Sequence, residues 1–169
     1  MGNTEHLFDR KAIMKFQELI DHNSLCMMVS DPGNYPGNSR PMSVVEVDDN
    51  GAFWFLTLRT SEKFDDLAKD PRVSLYFADP SSQEYLAVHG RTEVLNDMER
   101  KKELWRPIAS AWVAGGVEDP DLRVLKVIPQ TGYYWDTKDG KVLAGLKIAF
   151  SMITGNTNDD GGVEGQLKV

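Results

Sequence analysis

Several side chains able to bind an anion crowd the end of one apolar run. Residues 52–63 read AFWFLTLRTSEK, and Thr57, Arg59, Thr60, Ser61 and Lys63 fall within seven residues. The run before them is short, continuous and apolar, which is the pattern of a strand buried on both faces. Thr60 or Ser61 then suits the N-cap of a helix, because a short hydroxyl side chain accepts from the free N–H groups of a first turn. Hydroxyls, free N–H groups and an ammonium at one strand-to-helix junction fit an anion, phosphate above all. A capped surface helix whose Lys faces water is the alternative reading.

A second cation is expected to join them. Arg40 opens a strand over 40–48 (RPMSVVEVD), and Asp49-Asn50-Gly51 follows as hairpin chemistry, since Asn and Gly tolerate positive φ. Pairing 40–48 antiparallel with 52–57 sets the start of one beside the end of the other, so Arg40 should stand near 57–61. Arg can grip a phosphate bidentately; an ion pair to a surface carboxylate is the competing role. Trp54, Trp105, Trp112 and Trp135 are available to wall a planar ligand, although a core or a dimer seam is the commoner use of such aromatics.

Other chemistries find little support. His6, His22 and His89 stand apart from any partner at metal-ligand spacing. No Gly-x-Ser-x-Gly elbow and no Gly-x-Gly-x-x-Gly after a strand occurs. Cys26, the single cysteine, lies in the apolar run 25–29 and reads as a core thiol in a reducing compartment. The net charge of −7 and the pI of about 4.9 oppose nucleic acid or an anionic membrane as partner. The charged N-terminus has no apolar segment of a secretory signal, and no run approaches a membrane span. The reading is a soluble cytoplasmic protein.

The elements that must position these groups form a single domain over 1–169, with its core at about 8–155 and a flexible tail at 156–169. Asp9 caps a helix to about Asp21, with Ile13, Phe16 and Ile20 on one face. Strands are expected at 24–30, 40–48, 52–57, 72–78 and 84–95, and a last pair or one bent strand at 124–136. A short helix covers 61–70, and 31–39 (DPGNYPGNS) is turn chemistry. Gly90 marks a bulge or bend. Asp97 caps a helix through Trp105, which Pro107 kinks or restarts. A weak helical pattern covers 143–153, 155–162 is polar, and 165–169 (GQLKV) ends the chain as a short strand. Successive strands with short turns and one bend point to an antiparallel barrel with helices outside.

At these residues the chain resembles a known family. Ser39-Arg40-Pro41-Met42, then Trp54-Phe55-Leu56-Thr57 with Ser61-x-Lys63, is similar to the pyridoxamine 5′-phosphate oxidase-like, FMN-binding split barrels. Ala78-Asp79-Pro80, Glu103-Leu104-Trp105-Arg106-Pro107, Ala111-Trp112 and Tyr133-Tyr134-Trp135-Asp136 resemble the general stress protein 26 type within it. The resemblance covers roughly residues 8 to 155.

It implies a mainly β fold, a six-stranded antiparallel split barrel with peripheral helices, and a homodimer with FMN at its seam; FAD and the deazaflavin F420 are the other cofactors considered. It assigns the phosphate to Arg40, Ser61 and Lys63, and the flavin ring and ribityl chain to Arg40, Pro41, Met42, Ser43, Leu56 and Thr57. Tyr85 and Trp135 match further flavin contacts, and Trp112 is a candidate wall. Glu62 stands where the oxidases carry an Arg, which removes one phosphate cation. Residues 136–143 hold neither the Arg nor the His that grips a pyridoxal substrate, so pyridoxamine phosphate oxidation is not expected. The implied activity is a flavin-dependent oxidoreductase with a stress-related role and a small-molecule redox substrate. The alternatives are a non-catalytic flavin-binding or storage module, a flavin reductase or F420-type enzyme on the same barrel, and a purely structural dimer.

Overall fold

The computed structural model describes residues 3–30, 32–34, 36–137 and 162–169. The expected helix at 143–153, most of the polar stretch at 155–162 and most of the 136–143 segment lie outside them.

Ten strands form one mixed sheet among the described residues, with three α-helices around it. The strands are β1 (Asn3–Thr4), β2 (Leu7–Phe8), β3 (Leu25–Ser30), β4 (Asn38–Ser43), β5 (Glu46–Val47), β6 (Phe53–Leu58), β7 (Arg72–Asp79), β8 (Glu84–Leu95), β9 (Leu122–Thr137) and β10 (Gly162–Lys168). The helices are α1 (Asp9–His22), α2 (Lys63–Lys69) and α3 (Met98–Leu104). The mainly β architecture stands as expected. In place of six strands there are ten, and β1, β2 and β5 are two-residue pieces. β1 and β2 run parallel to β10, whereas the longer strands pair antiparallel.

The sheet runs β10-β9-β8-β7-β3-β4, and β6 pairs with the first half of β9. No ladder joins β4 to β6 among the described residues, so the barrel is open there. This corrects the expected pairing of 40–48 with 52–57. That segment divides: 38–43 pairs with β3, and only 46–47 pairs with β6. Pro41 has no N–H to give a ladder, and it is tolerated because β4 is an edge strand. The turn itself is as expected. Gly51 sits at φ +81°, and Asp48 Oδ1 accepts from the N–H groups of Asn50 and Ala52, both at 2.9 Å.

β6 is buried on both faces for a visible reason. Phe53 and Phe55 point into the barrel, where Phe16 of α1 meets the Phe53 ring edge-on at 5.2 Å. Trp54 and Leu56 point outward beneath Leu104, Ala109 and Val113. α3 and the 3-10 turn Pro107–Ala111 are thereby clamped to the outside of β6 and β9. Asp97 caps α3 as expected, accepting from Glu99 and Arg100 N–H at 2.9 and 3.1 Å. The chain restarts after Pro107, also as expected.

Other expectations shift. Asp9 begins α1 without a side-chain cap. The expected cap at Thr60 or Ser61 is replaced: α2 starts at Lys63 after Glu62, again without a side-chain cap. The bulge at Gly90 is present, with its extra residue, Gln130, on β9. A Cβ at Gly90 would stand 2.4 Å from Ile128 O, which explains the glycine. β9 is one long strand. The ending is also a strand, β10, on β9 from Gly162, so the flexible-tail expectation does not hold for 162–168. Cys26 is buried and its thiol is pushed up to about 12 by burial, which fits an inert core group.

Candidate functional site

A cavity of about 690 Å³ opens between the end of β6, the β4–β5 connection and the outer helical layer. That volume suits a small-molecule ligand, for which about 300–1,000 Å³ is usual. Eight of the residues expected to serve a ligand line it together: Pro41, Met42, Ser43, Leu56, Thr57, Ser61, Lys63 and Trp112. Arg40, Tyr85 and Trp135 do not line it.

Lys63 is the chemical centre. Its side chain folds back from the first turn of α2 towards β6, and Nζ donates to Thr57 Oγ1 at 2.6 Å and Ser61 Oγ at 2.8 Å. The residue is only 4% exposed. An ammonium has three donors, and no third acceptor and no carboxylate meets Nζ among the described residues. Burial first and the nearby Arg40 charge second lower its pKa to about 8. The cation is held in place but not neutralised.

Arg40 reaches this region by a different route from the one expected. It lies on β4 opposite Met28, and its guanidinium donates to Ser30 Oγ at 2.8 Å and Asp66 Oδ2 at 3.3 Å. Asp66 also accepts from Ser30 Oγ at 2.7 Å and Asn38 Nδ2 at 3.0 Å. These bonds hold its carboxyl below the usual carboxylate range, Ser30 first and Asn38 next. Arg40 therefore adds positive potential near Lys63 while its own fork is occupied.

The opposite wall was only partly legible in the sequence. Leu104, Arg106, Ile108 and Ala109 line the cavity beside Trp112. The restart at Pro107 turns Trp105 and the residues after it in different directions: Trp105 packs partly buried, whereas Ile108 and Trp112 reach the cavity at 79% and 47% exposure. No Asp or Glu among the described residues lines the cavity, although the chain carries 26 acidic residues.

Tyr85 and Trp135 are brought together, but on the outer face of the sheet. They are cross-strand partners on β8 and β9, and both are exposed. Leu25, Met27 and Tyr76 share that face by register, and Leu25 also lines the cavity. The face is thus apolar, exposed and continuous with the cavity rim.

The histidines lie elsewhere. His22 Nδ1 meets Glu84 at 2.9 Å, His89 Nδ1 meets Ser74 Oγ at 2.9 Å, and His6 Nδ1 accepts from Gln166 N–H at 3.1 Å. Among the described residues no group of three or more His, Cys, Asp or Glu is placed to hold a metal, and no helix is long and apolar enough to cross a membrane.

Known proteins with the same architecture carry related names. The structure of a general stress protein 26 from Jannaschia sp. CCS1 is 26% identical and superposes with a TM-score of 0.75, covering 94% of this chain and 98% of that one. The general stress FMN/FAD binding protein from Xanthomonas citri is 26% identical with a TM-score of 0.63, covering 72% of this chain and 86% of that one. Protein bli-3 of Neurospora crassa is 26% identical over 126 residues, 69% of this chain but only 60% of that protein. The family model for pyridoxamine 5′-phosphate oxidase-like proteins matches residues 11–159. With that span matched, the chain belongs to the pyridoxamine 5′-phosphate oxidase-like family.

Proposed function

We propose that the cavity binds a flavin mononucleotide, with the phosphate on Lys63, Ser61 and Thr57 and the ring system along the 41–43 and 56–57 backbone. The observation that carries this reading is the buried, unneutralised Lys63 on the wall of a cavity that no carboxylate lines among the described residues. A buried cation favours an anionic partner, and the predominantly apolar lining suits a tricyclic ring. The FMN/FAD binding named for the Xanthomonas citri relative supports the same ligand class. Arg40 adds positive potential from behind Asp66.

A second copy of the chain is the proposed cover for the outer face. Leu25, Met27, Tyr76, Tyr85 and Trp135 are exposed apolar residues on one side of the sheet. An apolar area of this kind marks an interaction surface. In such a dimer Tyr85 and Trp135 would stand at the seam, where the family resemblance implies flavin contacts.

A bound flavin would supply hydride or electron transfer, with this chain providing position and electrostatics. Among the described residues Lys63 and Arg106 are the ionisable side chains lining the cavity, and neither forms an acid–base pair there. The lack of such a pair favours a non-catalytic flavin carrier as the second reading. Titration with FMN, followed by flavin fluorescence and by the mass of any ligand released from the purified protein, tests the proposal. Saturable uptake of FMN is the expected result; no uptake of any flavin ends it. Oxidation of NADH or NADPH by the loaded protein then separates enzyme from carrier.

A further inference from the structure

The cavity has a second cation that the phosphate anchor leaves unused. Arg106 stands on the wall formed by α3 and the 107–111 turn, on a different element from Lys63. Its Nη1 donates to the carbonyls of Glu103 and Trp105 at 2.8 and 3.1 Å. Those are carbonyls at the C-terminal end of α3, which have no onward helical partner. Nη1 is therefore held on the wall, while the rest of the side chain stays exposed. Arg40, Arg59, Arg72 and Arg100 each pair with a carboxylate. Among the described residues none pairs with Arg10, Arg91, Arg106 or Arg123, and of these four only Arg106 lines the cavity. Ile108 and Trp112 stand beside it, exposed and lining the same cavity. A guanidinium fork matches a carboxylate or phosphate, and an indole face takes a flat conjugated ring.

We propose that this wall is a second subsite for a planar, conjugated small molecule bearing a carboxylate or phosphate. Arg106 holds the anion, and Trp112 and Ile108 cover the ring. The inference rests on the flavin reading only for the identity of the neighbouring ligand; the subsite is defined by this chain's own residues.

The test uses the full chain, with and without saturating FMN, and two fluorescent probes of one shape, 2-naphthoate and its neutral amide. The acid is expected to bind about tenfold or more tightly than the amide, the usual size for a charge-assisted contact. Arg106→Gln removes that preference and leaves amide binding intact, Arg106→Lys keeps part of it, and Lys63→Met leaves it unchanged. FMN affinity in Arg106→Gln stays within about twofold of the parent. Equal binding of acid and amide, a preference that survives Arg106→Gln, or one lost in Lys63→Met overturns the subsite. So does an Arg106→Gln variant that loses FMN instead, since Arg106 is then a flavin contact. A chain that ignores FMN yet shows the Arg106-dependent preference refutes the flavin reading and upholds this one.

Discussion

Replacing Lys63 by methionine should move stability and flavin binding in opposite directions. Methionine keeps the unbranched stem and fills the same space without charge. In the empty protein the ammonium is 4% exposed and its pKa falls from 10.5 to about 8, through burial first and the Arg40 charge second. At roughly 1.4 kcal/mol per pH unit, that fall corresponds to on the order of 3 kcal/mol against folding at neutral pH. The substitution removes this term but also ends the bonds to Thr57 and Ser61, each on the order of 1 kcal/mol. The empty variant should therefore be more stable by about 1 kcal/mol. For a chain of this size that is a rise of about 2–4 °C in Tm. FMN binding loses a charged hydrogen bond of about 1.5–3 kcal/mol, or about 10- to 150-fold in Kd. Thermal melts of the empty protein and fluorescence titration with FMN read the two effects separately. Unchanged FMN affinity refutes the phosphate anchor, and an empty variant that melts well below the parent refutes the argument from a strained ammonium.

The same geometry sets three further outcomes. Because the folded-state pKa of Lys63 lies near 8 and the unfolded value near 10.5, the unfolded chain binds more protons between them. Stability of the empty protein should rise with pH across that window, while FMN affinity falls above about pH 8 by up to about tenfold per unit; affinity that is flat to pH 10 contradicts the assignment. Gly90→Ala drives a methyl against Ile128 O, so urea unfolding should show a loss of about 1–3 kcal/mol. Met27→Glu puts a charge on the exposed outer face without touching the core. Sedimentation should show a dimer for the parent and a monomer for the variant, and an unaltered dimer would place the seam elsewhere.

The parts of the fold that local chemistry dictates were legible in the sequence. A continuous apolar run forecast β6, because both of its faces meet apolar layers. The Asp-Asn-Gly turn, the Asp97 cap, the Pro107 restart and the Gly90 bulge each follow from one residue's stereochemistry. Neighbours in space that are distant in sequence were not legible. A hairpin ladder over the whole of 40–48 would bring Arg40 to Lys63, but the ladder ends at β5. Arg40 comes near Lys63 instead because β4 turns onto β3 and α2 packs beneath both, with Asp66 linking them. The Arg106 wall had no signal of this kind. Its residues stand some forty positions from Lys63, and they meet the cavity only because Leu104, Ala109 and Val113 pack on Trp54 and Leu56.

The least legible feature is the outer face. SLCMMVS reads as a strand buried throughout, yet Cys26 and Met28 point inward while Leu25 and Met27 stay exposed. Composition alone cannot separate a strand covered by its own chain from one covered by another molecule, since both need apolar residues on two sides. Register shows which side chains are left open. Met27 lies opposite Tyr76, and Tyr85 opposite Trp135, with no helix over either pair among the described residues. Leu25 belongs to that surface and to the cavity at once. A second copy seated there, as proposed, would therefore also narrow the mouth of the cavity, so that ligand binding and association would share residues and be thermodynamically linked.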